Sequence, residues 1–139
     1  MKTIDLRSDT VTLPSQEIRD AISNAKLGDD VFQEDPNVNL LESEAALIAG
    51  KESALLVPSG TMGNLISFLV HCQRGTEAIL GNKSHTFIYE AGGISSMGGI
   101  HSHQLQNSDD GMIDLDLIKN AIRKDNVHFP VTSLISLEN

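Results

Sequence analysis

The chain has 139 residues, 40% of them apolar, a formal net charge of −9 and a single cysteine, Cys72. The acidic balance excludes a protein that holds a nucleic-acid backbone through cationic contacts, the lone cysteine excludes an internal disulfide, and no apolar run approaches the roughly 20 residues of a membrane-spanning helix. We therefore expect one soluble, cytoplasmic domain with an aliphatic core and no nucleic-acid or membrane partner.

The first 50 residues predict an extended arm followed by two helices. The first 13 residues are polar and extended, and Pro14 then occupies the first turn of a helix that ends before Gly28. Asp35 is a typical N-cap, Pro36 suits the first helical position, and Gly50 is typical of the residue that follows a helix. This pattern predicts a second helix between Asp35 and Gly50.

From residue 51 onward, short apolar strands alternate with helical patterns. The predicted strands are Ser53 to Val57, Glu77 to Leu80, Ile100 to Leu105 and Val131 to Leu137. The predicted helices are Met62 to Cys72, Phe87 to Ala91 and one that Asp114 caps. The segment Gly92 to Gly99 holds four glycines and is predicted to be irregular. Such alternation favours a parallel sheet covered by helices on both faces.

The segment between the first of these strands and the next helix has the composition of an anion site. Pro58 ends the strand, and Ser59-Gly60-Thr61 leads directly into the helix. Glycine lets the backbone approach a ligand, the first amides of a helix have no partner inside it, and the helix dipole favours negative charge there. The same segment also suits a plain strand-to-helix turn in which Ser59 or Thr61 is the N-cap.

His85 is the first candidate for a catalytic group. It follows the strand Glu77 to Leu80 and therefore lies at a carboxyl end, on the same side of the sheet as Gly60. An imidazole there can stack on an aromatic cofactor or transfer protons near neutral pH, although a surface loop position is the alternative. Tyr89 and Glu90, one turn further on, would face the same space, or Tyr89 would anchor its helix.

Three other polar positions have competing interpretations. The run Ser8-Asp9-Thr10 offers a hydroxyl and a carboxylate to a substrate, or caps a turn. His128 precedes the last strand and is either a catalytic group or a loop residue. His101 and His103 share one strand face at a spacing that suits two metal ligands, but no third ligand is evident nearby, so solvent-facing positions are favoured and no metal site is predicted.

Six motifs are distributed along the whole chain. They are Leu6-Arg7-Ser8-Asp9-Thr10-Val11-Thr12, Gly28-Asp29-Asp30-Val31, Glu34-Asp35-Pro36, Pro58-Ser59-Gly60-Thr61-Met62-Gly63-Asn64, Ser84-His85 and Thr132-Ser133-Leu134-Ile135-Ser136-Leu137-Glu138-Asn139. Together and in this order, they resemble the low-specificity L-threonine aldolases, which belong to the aspartate-aminotransferase-like, fold type I enzymes that use pyridoxal phosphate. The resemblance covers the front portion, somewhat under half, of a full family member.

This resemblance implies a three-layer α/β/α fold with a mostly parallel sheet. Residues 1–50 would form the arm and two helices, and residues 51–139 the start of the cofactor-binding large domain, truncated before the Schiff-base lysine. The implied enzyme cleaves L-threonine or L-allo-threonine to glycine and acetaldehyde by retro-aldol Cα–Cβ cleavage, with pyridoxal 5'-phosphate as its cofactor. A homo-oligomer, dimeric or tetrameric, with sites near subunit interfaces is also implied.

The resemblance also assigns roles to the candidate residues. The backbone amides of Gly60, Thr61 and Met62 would hold the cofactor phosphate. His85 would stack on the pyridine ring, and His85, His128 or a bound water would act as the catalytic base for the substrate hydroxyl. The implied substrate-binding residues are Ser8, which would help bind the substrate carboxylate, and Tyr89 and Glu90, which would support the site from behind the residues that contact the substrate.

Three parts of the family's site have no match in this sequence: the Schiff-base lysine, the Asp that pairs with the ring nitrogen and the Arg that binds the substrate carboxylate. Lys83 is the lysine nearest the expected site, but it does not lie in the family's lysine motif. Two alternatives to an aldolase therefore remain open: an inactive fragment that binds the cofactor or phosphate, and a self-contained flavodoxin-like binding domain.

Overall fold

The computed structural model describes residues 4–138 of the chain. The first three residues of the predicted arm and Asn139, the last residue of the final motif, lie outside the described residues. The described range forms two compact units, one ending at Leu56 and the other beginning at Val57. Within it, no helix combines the length and the apolar character that a membrane crossing requires.

The N-terminal unit is built from short helical elements. They are the 3-10 turns Asp9–Val11 and Asp30–Phe32 and the helices α1 (Gln16–Ser23) and α2 (Pro36–Ala49). Ser15 caps α1, because its Oγ accepts a hydrogen bond from the Ile18 amide at 3.4 Å. Pro14 therefore lies before the helix rather than in its first turn, which corrects the predicted start of α1.

The second helix is confirmed, and its two ends have the predicted chemistry. Asp35 Oδ1 accepts hydrogen bonds from the amides of Asn37 and Val38 at 2.8 and 3.1 Å. These bonds satisfy two of the amides that have no partner inside the helix. Gly50 follows α2 in the left-handed region, with φ of 62°, where the absence of a Cβ removes the usual steric cost.

The C-terminal unit combines four helices with one parallel sheet in the described range. The helices are α3 (Gly60–His71), α4 (His85–Ile88), α5 (Gly93–Ser96) and α6 (Leu115–Ala121), and the strands are β1 (Glu77–Gly81), β2 (His101–Leu105) and β3 (Thr132–Ile135). The strand order is β2-β1-β3, and β1 pairs with both neighbours in parallel. The predicted parallel sheet is thus confirmed.

The core of this unit lies around the central strand. All five residues of β1 are buried, as expected for a strand with a neighbour on each side. The core cluster consists of Phe68, Cys72, Ala78, Leu80, Ile94 and Ile100, with Leu134 packed against it. Burial of each large apolar side chain contributes about 1.5–3 kcal/mol, so this cluster fixes α3 and α5 against the sheet.

The segment Ser53 to Val57 was predicted to be a strand, and this prediction is wrong. Within residues 4–138 it belongs to no ladder. Leu55 and Leu56 remain 70% and 49% exposed. An apolar run indicates a tendency for burial, but a strand also requires a neighbour that accepts and donates backbone hydrogen bonds, and none of the described strands pairs with it.

The glycine-rich segment Gly92 to Gly99 is also more regular than predicted. It contains α5, and the side chain of Ile94 at the centre of that turn is buried in the core. Gly92 and Gly99 flank the turn with φ of 65° and 63°. Glycines disfavour a helix because they lose more conformational entropy on folding than other residues. Here the burial of the Ile94 side chain offsets that cost, which the count of glycines in the sequence does not show.

Candidate functional site

The start of α3 offers two backbone amides to a ligand. Ser59 caps the helix: its Oγ accepts from the Met62 amide and its carbonyl from the Gly63 amide, both at 3.1 Å. Among residues 4–138, no acceptor partners the amides of Gly60 and Thr61. A Cβ at Gly60 would meet no atom within 4 Å, so the adjacent space is open. The N-cap is thus confirmed and engages the Met62 amide, while the amides of Gly60 and Thr61 stay available to an anion.

Glu90 connects this helix to His85. Asn64 lies on α3, one helical turn after Gly60, and its Nδ2 donates to Glu90 Oε1 at 2.6 Å. His85 Nδ1 lies 2.9 Å from the same oxygen. Because the Glu90 side chain is only 3% exposed, it has little room to move. The imidazole is thus held at a defined position relative to the start of α3.

His85 owes its position to the carboxyl ends of two strands. It is the first residue of α4, which follows β1, and its backbone amide donates to Glu138 Oε1 at 2.6 Å. Glu138 comes shortly after β3, whose carboxyl end lies at the same edge of the parallel sheet. The carboxyl edge of an open parallel sheet is where ligands bind, so the predicted edge for His85 is confirmed.

The ring of His85 is anchored on one side and open on the other. Its side chain is 56% exposed. Tyr89 is also exposed, and its ring centroid lies 5.4 Å from that of the imidazole at an interplanar angle of 47°. With Nδ1 next to Glu90, more than half of the His85 side chain remains exposed and accessible to a ligand.

His128 is not brought to this group. It is exposed, and its backbone amide donates to Asn126 Oδ1 at 2.9 Å. His128 precedes β3, whereas His85 follows β1, and the amino and carboxyl ends of parallel strands lie at opposite edges of a sheet. A catalytic role for His128 stays a prediction, and the sheet gives it no support within this chain.

Ser8 lies in the N-terminal unit and caps a turn. Its Oγ accepts from the Thr10 amide at 3.2 Å and lies 2.9 Å from the Thr10 hydroxyl. This is the turn-capping interpretation that the sequence also allowed. The predicted role of Ser8 in binding a substrate carboxylate remains a prediction.

His101 and His103 lie beside a buried carboxylate at the opposite edge of the sheet. Glu77, whose side chain is fully buried, has its Oε1 3.1 Å from His103 Nδ1 and its Oε2 2.8 Å from Arg123 Nε, which donates to it. Only His101 is solvent-exposed, which corrects the expectation for His103.

Several interactions act on the acidity of Glu77. Burial by itself would raise the pKa of this carboxyl. Hydrogen bonds from Arg123, His103 and Thr132, together with the charge of His103, outweigh burial and hold the pKa below its ordinary value. Glu77 is therefore ionised and links β1 to β2 and β3 through hydrogen bonds. All of these bonds are made with side chains of the protein itself.

A family model matches almost the whole length of this chain. The model of the beta-eliminating lyases covers residues 5–139. The chain belongs to the beta-eliminating lyase family.

Curated relatives of this chain are named as aldolases. Low-specificity L-threonine aldolase 1 of Arabidopsis thaliana is 53% identical over 142 residues, covering 100% of this chain and 40% of the relative. The low specificity L-threonine aldolase of Escherichia coli K12 is 46% identical over 136 residues, covering 98% of this chain and 41% of the relative. The chain thus spans about 40% of the length of these relatives.

A solved structure agrees with the predicted fold class. The crystal structure comes from Listeria monocytogenes EGD-E and carries the provisional name L-allo-threonine aldolase. The match covers 84% of this chain and 32% of the Listeria chain, with a TM-score of 0.65 and 27% sequence identity. The α/β fold class and the resemblance to threonine aldolases are both confirmed.

The beta-eliminating lyases and the threonine aldolases among them are pyridoxal phosphate enzymes, as the resemblance implied. The residues of this lyase chain fit that cofactor. The free amides of Gly60 and Thr61 are donors suited to a phosphate beside open space, and the exposed imidazole of His85 is suited to an aromatic ring.

Two residues of the site were not selected from the sequence, Asn64 and Glu138. Asn64 was visible as the last residue of the motif that begins at Pro58, on the same helix as Gly60. Glu138 follows the carboxyl end of β3, which is the general position of site residues in parallel sheets. Glu90, which was expected to support the site, contacts His85 from a buried position, and its role in binding substrate stays a prediction.

Proposed function

We propose that this chain contributes the phosphate-binding helix start and the catalytic histidine of a pyridoxal phosphate-dependent threonine aldolase. The enzyme would cleave L-threonine and L-allo-threonine to glycine and acetaldehyde by retro-aldol cleavage of the Cα–Cβ bond. The names of the curated relatives and of the solved structure support this substrate class.

The single observation that carries the proposal is the bridge from α3 through Glu90 to His85. The 2.6 Å bond from Asn64 and the 2.9 Å contact with His85 meet at one buried oxygen. A phosphate bound at Gly60 and Thr61 and a ring beside His85 are two parts of one cofactor, so their supports need a fixed separation. A plain N-cap and a loop histidine would have no reason to share a buried carboxylate.

The reaction requires an electron sink, a proton acceptor and a fixed substrate orientation. When bound, pyridoxal phosphate supplies the sink for the electrons of the cleaved bond. The protein must remove the proton of the β-hydroxyl as the bond breaks. His85 Nε2 can accept that proton, because histidine is the side chain that ordinarily exchanges protons near neutral pH.

We assign proton transfer to His85 rather than His128. His85 lies at the carboxyl edge of the sheet with the free amides of α3 in the same unit, whereas His128 precedes β3. Tyr89, exposed beside the His85 ring, would contact the substrate or cofactor from the same side. Ser8 would bind the substrate carboxylate, as the resemblance implies.

The direct test is cleavage by the intact protein. It is mixed with pyridoxal phosphate and L-threonine or L-allo-threonine. The release of acetaldehyde is measured with a coupled enzymatic reaction that reduces it. We expect acetaldehyde release that depends on the cofactor and is lost in His85→Asn. Cofactor binding with no acetaldehyde would identify an inactive binding protein, and no cofactor binding would favour the flavodoxin-like alternative.

Gly60 offers a matched pair of variants for the phosphate site. Gly60→Asp adds a negative charge at the helix start, and we expect cofactor affinity to fall by about 100-fold or more because like charges repel there. Gly60→Ala adds only a methyl group, which meets no atom within 4 Å, and should bind nearly normally. Titration of the cofactor by absorbance measures both, and equal affinities in the two variants would remove this helix start from the site.

We also propose a cytoplasmic homotetramer. The lone cysteine, Cys72, is buried and free, which suits a reducing compartment. Large apolar side chains on α2 are exposed, among them Leu47 at 77% and Ile48 at 84%, and such patches typically mark association. Sedimentation of the intact protein distinguishes a tetramer from a dimer or a monomer.

A further inference from the structure

The contact between His85 and Glu90 determines which imidazole nitrogen carries a proton. A carboxylate can only accept hydrogen bonds, and Glu90 Oε1 already accepts one from Asn64 Nδ2 at 2.6 Å. His85 Nδ1 lies 2.9 Å from that oxygen. For this contact to be a hydrogen bond, Nδ1 must be the donor. A neutral His85 in this arrangement therefore has its lone pair on Nε2.

A half-turn of the ring about the Cβ–Cγ bond would put a carbon, Cδ2, in place of Nδ1 and break this contact. The Glu90 side chain is 3% exposed, and Asn64 fixes its Oε1 from the side of α3. The backbone of His85 is fixed separately, because its amide donates to Glu138 Oε1 at 2.6 Å. Histidine in water prefers the opposite tautomer, with the proton on Nε2, so the protein imposes this state at the cost of burying a carboxylate.

We propose that Glu90 is a positioning residue that holds His85 as its Nδ1–H tautomer and thereby makes Nε2 the atom that accepts the substrate hydroxyl proton. The inference rests on the proposed aldolase function for the identity of that proton. It assigns Glu90 a role that acts through His85 rather than by contact with the substrate. Asn64 contributes to the same positioning, because it donates a hydrogen bond to the Glu90 oxygen that His85 contacts.

The tautomer can be measured without catalysis. Long-range proton–nitrogen correlation spectra of the intact protein, labelled with ¹⁵N-histidine, distinguish Nδ1–H from Nε2–H at a pH where the ring is neutral. The His85 signals are assigned by their loss in His85→Asn. We expect Nδ1–H in the wild type, with and without pyridoxal phosphate, and a shift towards Nε2–H in Glu90→Leu, which removes the acceptor but keeps bulk.

The kinetic readout separates positioning from simple damage. In Glu90→Leu we expect kcat for L-threonine to fall by about 100-fold, within the range that a positioned proton-transfer group contributes, while KM changes little. Glu90→Gln keeps an acceptor oxygen and should retain more of the Nδ1–H form and more of kcat than the Leu variant. Glu52→Gln, an exposed glutamate outside this site, is the control and should change neither.

The outcomes distinguish this inference from the proposed function. An Nε2–H tautomer in a wild-type protein that cleaves threonine would overturn the positioning role and leave the function standing. A wild type with the Nδ1–H tautomer but no cleavage would support the tautomer assignment and contradict the function. If Glu90→Leu does not fold, the wild-type spectrum decides: an Nδ1–H tautomer supports the inference and an Nε2–H tautomer overturns it.

Discussion

The C-terminal unit buries two glutamates at opposite ends of β1, and their surroundings differ. Glu77 is the first residue of the strand and uses both carboxylate oxygens: Oε1 accepts from Thr132 and faces His103, and Oε2 accepts from Arg123. Glu90 lies beyond the other end, and in the described part of the chain both of its side-chain contacts converge on Oε1.

The difference indicates which edge of the sheet is structural and which is available for ligands. The partners of Glu77 come from β2, β3 and the segment after α6, and include a permanent cation, so the network is complete without a ligand. Among residues 4–138, no such cation contacts Glu90, and its histidine partner is 56% exposed. A complete buried network contributes to stability, whereas a buried acid that orients an exposed imidazole prepares a site for chemistry.

Breaking the Glu77 network should give the largest change in stability. Glu77→Ala leaves the Arg123 guanidinium without its carboxylate and removes hydrogen bonds to two other residues. Removal of one partner from a buried ion pair typically costs about 3–5 kcal/mol. We expect a loss of this size in the free energy of unfolding, measured by denaturant titration of the intact protein.

Glu90→Ala is the matched control for that experiment. It removes two hydrogen bonds at a site that is open on one side, and we expect a loss of about 1–3 kcal/mol in the free energy of unfolding, which is smaller than the loss in Glu77→Ala. If Glu90→Ala proved as destabilising as Glu77→Ala, the distinction between a structural and a functional edge would be wrong.

Acid should act on the same network, with a defined sign. The pKa of Glu77 is lowered in the folded protein, so the folded state favours the ionised form. This contribution is fully present above the unfolded glutamate pKa, about 4.3, and is lost as the pH falls through the lower folded value. Unfolding midpoints measured from pH 7 down to pH 3 should fall less steeply in Glu77→Gln than in the wild type. Parallel curves for the two proteins would contradict the assignment.

Local chemistry was sufficient to predict much of the fold. Asp35 and Gly50 defined both ends of α2, and Asp114 was correctly identified as the cap of α6, because capping depends on residues within one turn of the helix. The alternation of strands and helices predicted the parallel sheet, because parallel neighbours in a sheet need a crossover connection between them, which is usually a helix. The strand predicted at Ser53 to Val57 failed because pairing depends on a distant segment.

The site divides in the same way. His85 and the free amides of Gly60 and Thr61 were predictable, since each follows from its place next to a strand or a helix end. Glu90 was placed near His85, but its hydrogen bond with Asn64 was not predictable, because Asn64 lies 26 residues away in sequence and the contact exists only in the folded unit. The network of Glu77 was not predictable either, because its polar neighbours come from distant segments of the chain. The sequence of β1 by itself does not indicate them.

The smallest expected effect tests whether the Glu77 network depends on shape as well as charge. Arg123 donates to Glu77 through Nε at 2.8 Å and lies over the ring of Phe129 at 5.4 Å. Arg123→Lys keeps the charge but loses the planar group that makes both contacts, and we expect a cost of about 1 kcal/mol. Lys119→Ala breaks only the exposed pair with Asp116, and should leave the unfolding curve unchanged because surface pairs contribute little. An unchanged unfolding curve for Arg123→Lys would mean that the positive charge alone stabilises Glu77. The planar shape of the guanidinium and its contact with Phe129 would then contribute nothing measurable to stability.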